Sequence, residues 1–565
     1  GVAVTRIRWA IRQEQPIAVY GDFDVDGVTA TVLLAEGLAH LGAKVVPYIP
    51  HRFDEGYGLN QPALERLGTQ GIRLVITADT GTTAHQEIAW AQSQGLDILV
   101  TDHHVPRATL PPALATINPR RTDSLYPFSP LAGVGVAFKL LQALGAETAN
   151  PSTGSFDELS DSARKVEHVG VSRLCRDPAS GRKADRMASG QGPSTGSEPA
   201  LSAAKGHGLD LVALGTIADI MPVLGENRYL VQRGLAALNR THRLGLRCLM
   251  EGAGLSPGQV DSEAVSFRLA PRLNAAGRLA HARLSYSLLT AQSPAQAAEH
   301  ASALEAYNRE RQRRTEEVCR RAQEMIQARF TDGLPPLIML GDPEFDPGVV
   351  GISASQLSGQ YYRPVVLCSR GPETSRGSAR SIPEFNIVAA LAQCQPWLLR
   401  FGGHPQAAGF TARTEDIPHI ERRLVETAAR ELAGVELRPR LHVDAIVRLA
   451  DLRGDLLRFI SRLAPFGPGN PPPTFASLRV EVAEARSIGN GKHLRLKLRQ
   501  GQTVWDGVAF DLMEQHGLPT GPVDVVYTLG TDSWQGQPLL ELRLLDFAPA
   551  GTVRISSLRQ AQSLP

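Results

Sequence analysis

The stretch Ile17-Ala18-Val19-Tyr20-Gly21-Asp22-Phe23-Asp24-Val25-Asp26-Gly27 decides the fold. Its first four residues form an apolar run too short for a helix. They read as a strand buried on both faces, the kind that belongs to parallel sheets. A turn with aspartates at alternate positions follows. The same order recurs twice: Leu74-Val75-Ile76-Thr77 leads into Ala78-Asp79-Thr80-Gly81, and Ile98-Leu99-Val100-Thr101 into Asp102-His103-His104. Further on come Ile217-Ala218-Asp219-Ile220-Met221-Pro222 and then Pro271 to Arg278 (PRLNAAGR). In open α/β sheets ligands bind at the carboxyl ends of the strands. Carboxylates crowded at one such edge repel one another unless cations neutralise them. A divalent-metal site is the economical reading, and it marks the chain as an enzyme.

Working outward, residues 17–118 alternate strand-like segments (17–20, 44–49, 73–77, 97–101, 115–117) with helical ones (28–41, 61–67, 84–94). This is the βαβ rhythm of a doubly wound parallel sheet. From 147 to 208 the texture shifts to Ser, Gly, Pro, Ala and scattered charge without an apolar period, which reads as a mobile insertion. Residues 209–330 read as helical and end in one long connecting helix over 294–330. A second, smaller α/β domain is expected to open on a strand at 337–340. Beyond 435, short alternating strands (478–483, 493–498, 503–510, 523–529, 538–547) suggest a C-terminal β-barrel of OB-fold type. The expected division is 1–290, with the insertion 147–208 inside it; 291–335 for the connecting helix; 336–435; 436–550 for the barrel; and a tail, 551–565.

Bulk properties exclude several classes. A chain of 565 residues is too long for one core, and 42% hydrophobic with 21% charged residues is ordinary for a soluble protein. The net charge of +2 is nearly balanced, so nucleic-acid binding has to come from local basic patches. Cys175, Cys248, Cys319, Cys368 and Cys394 form no CxxC pair. That argues against a zinc ribbon or a disulfide framework and fits a reducing, cytoplasmic setting. No apolar run approaches the roughly 20 residues of a membrane span. The chain starts at Gly1, close upstream of the first expected strand, with no signal-peptide pattern; a native segment before Gly1 is left open.

Asp22, Asp24 and Asp26 alternate along one turn, so at least two can converge on one ion while the third supports or bridges. Asp79 adds a carboxylate from the next strand edge, His103 an imidazole from another, and Asp219 can close over them. Mixed Asp/His ligation suits Mn²⁺ or Mg²⁺, with histidine tilting the choice toward Mn²⁺. Two such ions activate a water and stabilise the leaving oxygen in phosphoryl transfer. His104 reads equally as a phosphate contact or a structural histidine. Asp102 reads as an orienting carboxylate or a turn residue.

GDFDVDG, ADTG, TDHH and GTIADIMP resemble the four metal motifs of the DHH phosphoesterase superfamily. PRLNAAGR, GSARS (377–381) and FGGHPQAAGF (401–410) narrow the resemblance to the RecJ single-strand-specific exonucleases, over about residues 17–548. The resemblance implies metal-dependent 5′→3′ removal of 5′-mononucleotides from single-stranded DNA, in DNA repair and recombination. By matching motif, the metal ligands would be Asp24, Asp26, Asp79, His103 and Asp219, with Asp22, Asp102 and His104 adjacent. Arg52 and Tyr57 would lie at a narrow entrance, and a Tyr ring there can stack on a base. Arg278, Ser378 and Arg380 look like contacts to the 5′ phosphate and backbone, arginine offering a forked donor set. His404 can donate to phosphate beside Gly402 and Gly403, which permit close backbone approach.

The family resemblance also implies a single-stranded-DNA-binding protein and a helicase as partners, and a monomeric enzyme. The barrel offers Lys492, His493, Arg495 and Lys497 with Trp505 and Trp534, a cation-and-aromatic set able to track a single strand. Two departures stand out. Asp346 replaces the histidine usual before PGVxGI, so that a phosphate contact is lost or replaced, and the insertion falls between the third and fourth metal motifs. The competing enzyme reading is a DHH phosphodiesterase for short oligonucleotides or cyclic dinucleotides, against which the barrel argues.

Overall fold

Five parallel strands build the first sheet: β1 (Ile17–Tyr20), β2 (Val45–Tyr48), β3 (Leu74–Thr77), β4 (Asp97–Thr101) and β5 (Ala115–Ile117), in the order β2-β1-β3-β4-β5. Side chains alternate across a strand, and here each face meets its own helices. Ile17 and Val19 point into a core with the helices Val25–His40, Gly133–Ala146 and Leu209–Ala218. Ala18 and Tyr20 point into another with Gln61–Thr69 and His85–Ser93. That double burial is why IAVY and LVIT read as unbroken apolar runs. The strand order reverses between β1 and β3, which opens a crevice at their carboxyl ends.

The computed structural model describes residues 1–52, 54–56, 58–146, 208–452, 454–489, 491–532 and 539–552. The expected insertion, Gly208 apart, lies outside them. Contacts divide the chain into two units, Gly1–Arg321 with Asp346–Val350, and Ala322–Phe345 with Gly351–Pro565. The expected connecting helix is one element of 36 residues, Pro294–Arg329, and the division falls within it. Among the described residues no helix is long and apolar enough to cross a membrane.

The second unit holds a mixed sheet of β6 (Ile338–Asp342), β7 (Val365–Arg370), β8 (Thr374–Arg380), β9 (Leu398–His404) and β10 (Ala407–Arg413), in the order β6-β7-β8-β10-β9. Only its opening strand was expected. GSARS lies in β8, and FGGHPQAAGF forms the β9–β10 hairpin. Glycine and alanine have low strand propensity, so both segments look like loops in sequence. The glycine is needed here, because a side chain on Gly377 would run into the Phe410 ring.

The barrel also belongs to the second unit. Its strands β12 (Phe475–Ile488), β13 (His493–Gln500), β14 (Thr503–Ala509), β15 (Val523–Asp532) and β16 (Leu539–Pro549) pair as β12-β13-β14-β16-β15, and β15 returns to β12, closing the sheet. A short β11 (Ala445–Ile446) adds to β12. The basic face expected on β13 is partly neutralised: Lys497 Nζ pairs with Glu484 at 3.0 Å and Arg499 with Glu481 at 2.7 Å. Trp505 is half-buried against the barrel core and its indole N–H donates to Leu449 O at 3.1 Å, which fits a packing residue better than a stacking platform. Trp534 lies outside the described residues.

Gly377→Ala is expected to cost about 1–3 kcal/mol by forcing the Phe410 ring aside. Hydrogen exchange should quicken across β8 and β10; exchange equal to the parent's would contradict this packing.

Candidate metal centre

Each strand at the crevice ends in a turn that carries side chains toward one place. After β1, Asp22 Oδ1 accepts from Phe23 N–H at 2.7 Å. Asp24 caps the helix Val25–His40, its Oδ1 accepting from Gly27 N–H at 3.0 Å. Asp24 therefore does serve as a cap, with one of its two oxygens. Asp26 sits in the first turn of that helix and is 1% exposed. Its Oδ2 accepts from Gly133 N–H at 2.7 Å and its Oδ1 from Val134 N–H at 2.9 Å, the start of the helix Gly133–Ala146. Free N–H groups and the helix dipole favour an anion at that point.

After β3, Asp79 adopts φ 63, a left-handed conformation uncommon outside glycine, and its N–H donates to Thr101 O at 3.0 Å. After β4, Asp102 organises the two histidines. Its Oδ1 accepts from His103 N–H at 2.7 Å and His104 N–H at 3.1 Å and faces His104 Nδ1 at 2.7 Å, while Oδ2 accepts from Thr82 N–H at 2.9 Å. Asp219 is the C-cap residue of the helix Leu209–Ala218.

These turns converge on His103. Its Nε2 lies 3.1 Å from Asp79 Oδ1, 3.5 Å from Asp219 Oδ2 and 3.9 Å from Asp26 Oδ2. Two sets of candidate ligand atoms result, each lying within 4.8 Å of one another: Asp26, His103 and Asp219, and Asp79, His103 and His104. Three glycines let the surrounding helices close in. A Cβ on Gly133 would stand 2.5 Å from Asp79 Oδ1, one on Gly215 2.8 Å from Asp26 Oδ1, and one on Gly277 2.5 Å from Phe23 O.

The electrostatics follow from crowding. Burial, and then the charge of Asp24, push Asp22 and Asp26 each up to about 7. Burial with Asp26 and Asp24 pushes Asp219 up to about 8, and Asp79 is raised well above the usual carboxylate range by burial and then Asp26. Burial and the neighbouring His104 lower His103 to about 3, which keeps it as the neutral imidazole that metals bind. Burial opposes a charge on His104 too, but its bond and pairing with Asp102 prevail and raise it to about 9. Burial likewise works against an ionised Asp102, yet His104 and Thr82 hold it below the usual range. Asp79 Oδ1 is buried and accepts no hydrogen bond. Repelling carboxylates, a neutral imidazole and an unsatisfied oxygen make a donor set that fits Mn²⁺ or Mg²⁺.

The other expected site residues fall as follows. Arg52 places its guanidinium 4.9 Å over the Phe23 ring and lowers the pKa of Asp22. Tyr57 lies outside the described residues. Arg278 lies in the last turn of the helix Ala270–Leu279, and its carbonyl packs against Gly348, where a side chain would collide. Arg380 donates to Ala379 O at 2.9 Å and lies 3.3 Å from Ser378 Oγ, and burial lowers its pKa. Gly351 leaves that pair open, since a Cβ there would stand 3.0 Å from Ser378 Oγ. His404 is exposed at the end of β9. The space at Gly403 (φ 144) is taken by Ala407 O within the hairpin, whereas the space over Gly402 is open. Asp346 holds a turn: Oδ1 accepts from Gly348 N–H at 2.7 Å and Oδ2 pairs with Arg314 at 2.6 Å.

Sequence reasoning missed four contributors. Gly133 and Val134 supply the N–H groups that hold Asp26, and Asn274 Oδ1 accepts from Val25 N–H at 3.1 Å. The charge of Arg120 acts on both His103 and Asp219. The Asn118-Pro119-Arg120 turn after β5 was the available signal, since it ends another strand at the same sheet edge.

A doubly wound sheet with acidic and imidazole groups at its switch point is the arrangement of a divalent-metal centre, and it agrees with a phosphoesterase of the DHH class. Residues 16–160 match the DHH family, N-terminal domain; 334–430 match the DHHA1 domain; and 443–546 match the RecJ OB domain. The single-stranded-DNA-specific exonuclease RecJ of Bacillus subtilis is 35% identical over 551 residues, covering 97% of this chain and 63% of that relative. Its namesake in Salmonella typhimurium is 31% identical, covering 96% and 88%. The crystal structure of RecJ from Thermus thermophilus in complex with Mn²⁺ superposes with a TM-score of 0.76 at 31% identity, covering 97% of this chain and 71% of that one. The Mg²⁺ complex gives 0.70 at 29%, covering 97% and 69%. The chain belongs to the RecJ family.

Two predictions follow from the centre. Gly133→Ala places a methyl against the Asp79 carboxylate and should abolish stabilisation by Mn²⁺, read as the loss of the Mn²⁺-induced rise in Tm; a retained rise would contradict the geometry. The second concerns pH. Without metal, the folded state keeps protons on Asp22, Asp26 and Asp219 up to about 7 to 8 and on His104 up to about 9. The unfolded chain, with the ordinary values of 3.8 for Asp and 6.5 for His, has already released most of them. The native state therefore binds more protons from about pH 6.5 to 8.5, and its metal-free stability must fall as pH rises through that window. Mn²⁺ favours the ionised carboxylates and should raise Tm more at the upper end. A metal-free Tm that climbs over this window would refute the assignment.

Proposed function

We propose that this chain is a metal-dependent 5′→3′ exonuclease that hydrolyses single-stranded DNA from a free 5′ end and releases 5′-mononucleotides, in DNA repair and recombination. The observation that carries the reading is the convergence of Asp26, Asp79 and Asp219 on His103 Nε2, in a chain that also carries the DHHA1 and RecJ OB domains. We assign Asp24, Asp26, Asp79, His103 and Asp219 to hold two divalent cations, Mn²⁺ or Mg²⁺. When bound, such ions activate a water and stabilise the leaving oxygen.

The protein's own groups prepare that chemistry. Asp26 is fixed on two backbone N–H groups, so it cannot swing away as charge builds up. His103 stays neutral and offers Nε2. Asp102 keeps His104 charged, a donor suited to a phosphate oxygen. Asp22, with Arg52 nearby, supports the first turn. Arg52, Tyr57, Arg278, Ser378, Arg380 and His404 are assigned to the strand and its 5′ phosphate. The proposed domains are 1–290, 336–435 and 436–550, with a connecting segment at 291–335. The proposed setting is cytoplasmic and the proposed state monomeric, with a single-stranded-DNA-binding protein and a helicase as partners.

The test is a time course on 5′- and 3′-labelled single strands with Mn²⁺, Mg²⁺ or EDTA. Mononucleotides should appear from the 5′ end with metal and not with EDTA, and Asp79→Ala should lower the rate about 1,000-fold or more. Equal attack on blunt duplex, or release from the 3′ end, would defeat the reading.

A further inference from the structure

One residue beside the centre has no part in holding it. Ile220 directly follows Asp219 and adopts φ 56. The helix Leu209–Ala218 closes there, with Ile220 N–H donating to Ile217 O at 3.1 Å and Met221 N–H to Thr216 O at 3.2 Å. That end is usually given to glycine, and a β-branched residue is among its least comfortable occupants. Among the described residues, the other non-glycine positions with positive φ are Glu14, Asp79, Tyr362, Arg479 and Asp511, none of them β-branched.

Packing does not account for the isoleucine. Its side chain is 72% exposed, while the next residue, Met221, is buried and makes the contact with the core. A strained backbone thus presents an aliphatic side chain to solvent, one residue from a carboxylate 3.5 Å from His103 Nε2. Val105, which directly follows His104, is also an exposed aliphatic side chain (57%) but without a left-handed backbone.

We propose that Ile220 lies against the face of the nucleobase of the nucleotide being released and so sets its phosphodiester over the metal centre. The proposal rests on the exonuclease reading above. An apolar contact with a base face is indifferent to which base it meets, which suits an enzyme that must take any sequence. Strain retained beside a site, where glycine would relieve it, points to a use for the side chain.

The test compares the full chain with Ile220→Gly and Ile220→Val, all with Mn²⁺. Glycine should leave Mn²⁺ affinity by calorimetry unchanged and raise Tm by roughly one to a few degrees. On a 5′-phosphorylated single strand it should raise KM roughly tenfold, with Ile220→Val recovering most of the loss. On a strand whose first nucleotides are abasic, Ile220→Gly and the parent should be alike. A glycine variant equal to the parent on the normal strand overturns the proposal, as does equal impairment on the abasic strand. A parent that leaves single-stranded DNA intact defeats the exonuclease reading itself, and this inference with it.

Discussion

The repulsion among buried carboxylates at the carboxyl ends of β1, β3 and the neighbouring helix is the constraint around which the first unit is arranged. At an effective dielectric near 20, two unit charges 4 Å apart repel by about 4 kcal/mol. A few such pairs rival the whole stability of a typical domain. The fold meets this in two ways. It gives Asp26 the N-terminus of a second helix, and it leaves Asp22, Asp79 and Asp219 raised toward their protonated forms. A cluster raised toward neutrality is poor at resting ionised and well suited to exchanging protons for metal.

Close approach is the second requirement, and glycine supplies it. Gly133, Gly215 and Gly277 each stand where a methyl group would strike a residue of the centre or the turn carrying it. Their roles are spatial and not conformational, since none has a positive φ. Gly277 belongs to PRLNAAGR, which also gives Asn274 to the β1 turn. That segment, read in sequence for its arginine, thus also builds the metal turn. The same doubling occurs at Asp346, whose carboxylate holds the turn before the helix Val350–Tyr361 and pairs with Arg314.

Much of this was legible in the sequence, for reasons that differ by region. β1 and β4 were read at their observed bounds because strands buried on both faces leave an apolar run, and the half-buried edge strand β5 was bounded by the turn residues that follow it. The convergence of the acidic turns was legible because carboxylates are seldom placed together without cause. β8, β9 and β10 were not, since their glycines and alanines serve ring packing and hairpin geometry that no local pattern reports. The backbone partners of Asp26 were also invisible, because a main-chain N–H has no side chain to announce it. On β13 the basic residues were plain, but their partners Glu481 and Glu484 come from β12, across a register that sequence alone does not fix.

The left-handed backbone of Asp79 joins the sheet to the centre. Aspartate is among the few residues that tolerate such a conformation, so the ADTG turn combines a ligand type with a conformational type. An extended residue in its place would continue the strand and direct its carboxylate to one face of the sheet, into a helix layer. With φ 63 the backbone turns at once, its N–H reaches Thr101 on β4, and Oδ1 comes within 3.1 Å of His103. The hydrogen bond to β4 shows what over-determines the strain: the same parallel sheet that ends in the metal centre holds the turn in place. The first unit therefore has no separate scaffold and site, because the final residues of its strands belong to both.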